Sequence, residues 1–140
     1  MRFVSEIALN RKLGIWPVSL NNAYANGAPG RGRYPTLKAR QWKQKLRAEF
    51  TAAWLTVRPN ERHLLLNSTP RLRLTLRWRL DRRYRGDVDN LTKLVQDTLC
   101  EVLGVNDRRL DSATTLEEPG EPCRLVLWLA PVRQDVEVSA

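Results

Sequence analysis

The sequence predicts an α+β domain in which one small mixed sheet of about four strands is covered by two helices, in the order β-α-β-α-β-β. Three observations predict it. Residues 71–80 (RLRLTLRWRL) alternate strictly between apolar and mostly cationic side chains, the period-two mark of a strand with one buried face. Residues 89–103 carry Leu91, Leu94, Val95, Thr98, Leu99 and Val102 as an apolar stripe at helical spacing. The 140 residues suit one hydrophobic core and leave no linker long enough to separate two.

Each element follows in turn. Residues 3–9 (FVSEIAL) read as a short strand. Residues 10–35, rich in Asn, Gly and Pro, read as a long loop of the functional or mobile kind. From Thr36, a candidate N-cap, a helix is expected up to Pro59, with Trp42, Leu46, Phe50, Ala53, Trp54 and Val57 as its stripe. The alternating strand and the second helix come next, with Gly104 as C-cap. Two strands, roughly 110–117 and 123–130, flank the turn Glu118-Pro119-Gly120-Glu121-Pro122. A single domain over 1–140 is expected, with 131–140 as a flexible tail.

Composition narrows the function classes. There is no run of about 20 apolar residues for a membrane span. The N-terminus lacks the pattern of a secretory signal, so a cytoplasmic protein with no membrane partner is expected. Cys100 and Cys123 are too few for a disulfide scaffold, and are expected reduced; His63 is the one histidine, which excludes two-histidine chemistry. The net charge of +9 is unevenly spread: residues 1–58 sum to +9, 71–85 to +6 and 86–140 to −6. Such basic segments point to a polyanion, most often nucleic acid.

The sign of the charge reverses in Asp81-Arg-Arg-Tyr-Arg-Gly-Asp87-Val-Asp89-Asn90-Leu-Thr-Lys93. Asp87 and Asp89, two apart in an extended segment, reach the same side. Asp89, Lys93 and Asp97 share the helix face opposite the apolar stripe, and Asp107 follows the helix end. Converging carboxylates suit Mg²⁺, which takes few protein carboxylates and accepts phosphate oxygens. Lys93 would neutralise charge on the phosphate, and Arg82, Arg83 and Arg85 would hold the polyanion. A plainer reading stands beside this one. Asp89 serves equally as an N-cap worth about 1 kcal/mol, and Asp89–Lys93 as an ordinary i,i+4 pair.

Asp87-x-Asp89-Asn90-Leu91-x-Lys93, the helix with Asp97, and Asp107 beyond it resemble the RusA family of Holliday junction resolvases. So does the segment Pro17-Val-Ser19-Leu-Asn21-Asn22-Ala-Tyr24. The resemblance covers most of residues 3–130. It implies an endonuclease that resolves four-way DNA junctions by paired nicks in recombination and repair, working as a homodimer and frequent in prophages. Asp87, Asp89 and Asp107 would bind Mg²⁺, with Mn²⁺ as a substitute, and Lys93 would be the catalytic lysine. Arg82, Arg83, Arg85, Asn21 and Asn22 would contact the branched DNA. Asp111 is the alternative to Asp107 by register. Two further readings remain open: a non-catalytic DNA- or RNA-binding protein, and a metal nuclease of other branched DNA. Among the tryptophans, Trp42, Trp54 and Trp78 lie on apolar stripes and are expected in the core, whereas Trp16 beside the Asn-rich loop is the candidate for DNA contact.

Overall fold

A computed structural model describes residues 2–26 and 32–132; the expected tail lies almost wholly outside the described residues. The elements are β1 (Phe3–Ala8), β2 (Tyr24–Asn26), β3 (Arg33–Pro35), α1 (Leu37–Leu55), α2 (Pro59–Asn67), β4 (Leu72–Arg79), α3 (Asp89–Leu103), β5 (Leu110–Leu116) and β6 (Arg124–Pro131). Strands β1, β6, β4 and β5 form one mixed sheet in that order. β4 and β5 are parallel, joined by α3 as the crossover helix, and β6 runs antiparallel to both β4 and β1. The predicted α+β class and its four-stranded mixed sheet hold.

The alternation in β4 does what its period requires. Leu72, Leu74, Leu76 and Trp78 are fully buried, while Arg73 and Arg77 face solvent. Register puts them beside Leu125, Leu127 and Leu129 of β6, so the inner sheet face is a continuous apolar floor. Each such side chain stabilises by roughly 1.5–3 kcal/mol on leaving water. α1 adds Trp42, Leu46 and Phe50, and α3 adds Leu91, Val95 and Leu99. Trp54 meets Phe3 edge-to-face at 5.5 Å.

Capping matches the sequence reading at two ends and departs from it at a third. Thr36 Oγ1 accepts the Ala39 N–H at 3.2 Å at the start of α1. Gly104 closes α3 with φ +69°, a conformation that favours glycine. Asp89, however, is the first residue of α3 rather than its cap. The carboxylate of Asp87 takes that role, accepting the Asp89 N–H at 3.0 Å.

Several elements were not foreseen. Pro59 ends no helix here: it opens α2, of which Leu65 alone is fully buried. The 10–35 loop contains two single-turn 3₁₀ helices and the three-residue strands β2 and β3, paired as a hairpin.

Candidate functional site

The loop 81–88 is built so that its carboxylates stand at the mouth of α3. Tyr84 donates its hydroxyl to the Asp87 carbonyl at 2.9 Å, pinning the turn before the helix. Burial, and next the charge of Asp87, push the Tyr84 phenol above its ordinary range. Gly86 leaves room for this packing: a Cβ there would meet Tyr84 Oη at 2.9 Å and Cζ at 3.2 Å and push the phenol tip aside. Beneath, Trp78 Nε1 donates to Thr114 Oγ1 at 3.2 Å. Thr92 Oγ1 lies 3.3 Å from the same hydroxyl and 3.1 Å from the Val88 carbonyl. This ladder ties the first turn of α3 to the sheet.

Lys93 is the centre of charge. Its ammonium is 2.9 Å from Asp97 Oδ1 and 3.5 Å from Asp107 Oδ2. The hydrogen bond to Asp97, and next the charges of Asp97 and Asp107, raise its pKa against the opposing effect of partial burial. The expected Asp89–Lys93 pair is therefore replaced by Lys93–Asp97, because Asp107 arrives from beyond the helix and favours that side. Asp107 opens a 3₁₀ turn, Asp107–Arg109, in which Asn106 accepts the Arg108 N–H at 2.9 Å. Arg109 fixes this turn by donating to the carbonyls of Thr69 at 2.9 Å and Pro70 at 3.1 Å, and to that of Leu66. Asp111, the alternative by register, is gripped by two nitrogens of Arg71, which hold its carboxyl below the usual range.

Lys93 borders one hollow, and its partners Asp97 and Asp107 border a second. One, about 230 Å³, is lined by Asp89, Thr92, Lys93, Gln96, Ser112 and Thr114. The other, about 460 Å³, is lined by Tyr24, Lys43, Leu94, Asp97, Cys100, Glu101, Asn106 and Asp107, with Lys43 paired to Glu101 at 2.9 Å. In the second, burial and then the neighbouring acids push the Cys100 thiol up to about 11, so a thiolate is disfavoured at neutral pH.

The residues singled out in the sequence are thus only partly assembled. Asp107 and Lys93 meet, and Asp97 joins them. Asp87 and Asp89 adjoin through a backbone hydrogen bond. Among the described residues, no three His, Cys, Asp or Glu side chains stand together as ligands for one metal. Of the arginines, Arg82 is exposed, Arg83 lines a hollow beside Arg11, and Arg85 folds back onto the Arg82 carbonyl at 2.7 Å. Asn22 lines a hollow with Trp16, and the side chain of Asn21 lies outside the described residues. The residues that sequence reasoning missed are Tyr84, Gly86, Thr92 and Thr114, whose roles depend on cross-sheet contacts; only the glycine in a polar turn was a visible signal.

Comparison with known proteins does not return the resolvase family, and the resolvase reading is corrected accordingly. No family model matches the chain. No curated protein matches it either. The solved structures it aligns with are of another kind. One is a 2C-methyl-D-erythritol-2,4-cyclodiphosphate synthase in a CDP-bound form: 11% identity, 94% of this chain and 99% of that one, TM-score 0.34. A second is the 2C-methyl-D-erythritol 2,4-cyclodiphosphate synthase of Plasmodium vivax, with 7% identity, 95% and 96% coverage and TM-score 0.37. A third is the bifunctional IspDF of Campylobacter jejuni, with 11% identity, 93% and 42% coverage and TM-score 0.32. These matched chains are enzymes, and none is a resolvase; likeness at this level brings no chemistry to this chain. The junction resolvase, its nuclease activity, its branched-DNA partner and its paired-nick homodimer are withdrawn. Among the described residues no helix is long and apolar enough to cross a membrane.

Proposed function

We propose that this protein is an enzyme acting on a phosphate-bearing substrate with the help of a divalent cation, at the face of α3 centred on Lys93. The observation that supports it is the convergence of Asp97 and Asp107 on one ammonium, beside a hollow that also presents Lys43. Three protein carboxylates are not needed for such a cation. Mg²⁺ is commonly held by one or two carboxylates, its waters and the phosphate of the substrate. The donors present are hard oxygens, and the thiol of Cys100 stays protonated, so the set fits Mg²⁺ or Mn²⁺ and not a thiolate-bound metal.

Asp97 and Asp107 would hold the cation, which when bound would polarise a phosphate oxygen. Lys93, at the border of the smaller hollow, would neutralise charge on the bound phosphate, and Lys43, paired with Glu101 at 2.9 Å, stands in the larger one. Asp89 is exposed at the edge of the smaller hollow, two helical turns from Asp97. Asp87 positions that helix end through its hydrogen bond to the Asp89 N–H.

The test is turnover of p-nitrophenyl phosphate and bis-p-nitrophenyl phosphate with Mg²⁺, with Mn²⁺ and with chelator. Metal-dependent release of nitrophenol that falls about 100-fold or more in Asp107→Asn is expected, the scale at which a charge-stabilising group is usually missed. Absence of turnover with either metal, or turnover equal in the variant, would overturn the reading.

A further inference from the structure

The segment 11–22 and the first turns of α1 enclose a hollow of about 360 Å³ that shares no lining residue with the two beside Lys93. Arg11, Trp16, Ser19, Asn22, Lys38 and Gln41 give it its chemical character. We propose that this hollow binds a phosphomonoester carried on a planar ring, of the nucleoside monophosphate type.

The charge of the lining comes first. Two cations and three neutral polar side chains border the hollow, and among the described residues no carboxylate does. The adjoining hollow of about 330 Å³ shares Arg11 and Trp16 but mixes three cations, Arg11, Lys12 and Arg83, with the acids Asp81 and Glu121. Size comes second, since small-molecule sites begin at about 300 Å³.

The wall between the two hollows is already fixed. The Arg11 guanidinium lies 3.9 Å over the Trp16 ring, and its Nε and Nη2 reach Asp81 at 2.5 and 3.1 Å. Asn10 accepts the backbone N–H groups of Lys12 and Leu13, holding the turn that carries Arg11, while Pro17 and Val18 are buried beneath. A ligand therefore meets an aromatic surface whose ordering cost falls in folding, not in binding. Arg11 is engaged by Asp81, whereas Lys38 is exposed and forms no ion pair with the described residues. Lys38 is thus the phosphate contact, Trp16 the ring platform, and Ser19, Asn22 and Gln41 the partners for sugar-like hydroxyls.

This site goes beyond the proposed function and stands without it. AMP, adenosine and inorganic phosphate are titrated separately into the full chain, followed by calorimetry and by tryptophan fluorescence, with circular dichroism confirming that each variant is folded. AMP is expected to bind with a Kd of about 1 mM or tighter. Adenosine and phosphate should each bind at least about ten-fold more weakly, because each forgoes half of the contacts. Lys38→Glu should weaken AMP about ten-fold or more, as loss of a charged hydrogen bond does. Trp16→Phe should abolish the fluorescence response, and Asp107→Asn should leave AMP binding unchanged. AMP binding no better than phosphate, or insensitive to Lys38→Glu, would overturn the proposal. Loss of AMP binding in Asp107→Asn would overturn it too, by placing the ligand at the acidic face. Retained AMP binding in a chain that turns over no phosphoester sinks the proposed function alone.

Discussion

Lys93→Met tests whether the lysine is an internal stand-in for a cation. The wild-type ammonium neutralises Asp97 at 2.9 Å and Asp107 at 3.5 Å, and all three side chains are between about a third and a half exposed. Exposed pairs of this kind contribute about 0.2–1 kcal/mol each. Removing both, and leaving two carboxylates to repel each other, should cost about 1 kcal/mol in total. For a chain of this length that lowers Tm by about 4 °C. The acids then face an unfilled charge deficit, so Mg²⁺ should bind the variant more tightly than wild type in the absence of phosphate. At ten times its Kd, the ion would return about 1.4 kcal/mol. The assay is thermal unfolding of both proteins with and without millimolar Mg²⁺, at fixed ionic strength. A rise in Tm confined to the variant is expected. Equal rises in both proteins, or none in the variant, would refute the idea that Lys93 occupies the place of a cation.

Two further perturbations address the surroundings. Arg11, chiefly by its hydrogen bond, holds the Asp81 carboxyl below its ordinary 3.8, so this pair stabilises the fold above that pH and its contribution is lost as pH falls through the lowered value. Asp81→Asn should therefore cost about 1 kcal/mol at pH 7, and urea midpoints of variant and wild type should converge as the pH falls through that lowered value. A gap that persists in acid would show another cause. Gly86→Ala drives a Cβ into Tyr84, 2.9 Å from its hydroxyl, and should cost about 1 kcal/mol or more through the lost hydrogen bond to Asp87. Adding Tyr84→Phe should then cost less than it does in wild type, a non-additivity read from a double-mutant cycle.

How far the sequence could be read depended on how far its signals were local. β4 and α3 announced themselves because their periods persist for eight and fifteen residues and match the burial seen. α2 did not: PNERHLLLN is nine residues with one fully buried side chain, and its proline reads equally as the end of one helix or the start of another. The three-residue strands β2 and β3 are too short to show alternation.

The candidate site shows the same limit. Asp89 and Asp97 both stand four residues from Lys93, and local rules favour Asp89, the acid on the N-terminal side. The choice of Asp97 is made by Asp107, fourteen residues away and delivered by a turn that Arg109 anchors to residues 66–70. Asp87 looked like a ligand because its spacing to Asp89 is two, and became a cap because the nearest unsatisfied group was a backbone N–H. The motif that suggested a resolvase is thus a short string whose side chains are set by long-range contacts, and a string alone did not carry the family.

The most direct measurement is calorimetric titration of Mg²⁺ into wild type and Asp107→Asn in the presence of inorganic phosphate. A cation at the acidic face of α3 predicts one saturable site in wild type, weakened about ten-fold or more in the variant. The same heat in both proteins, or none in either, would contradict it.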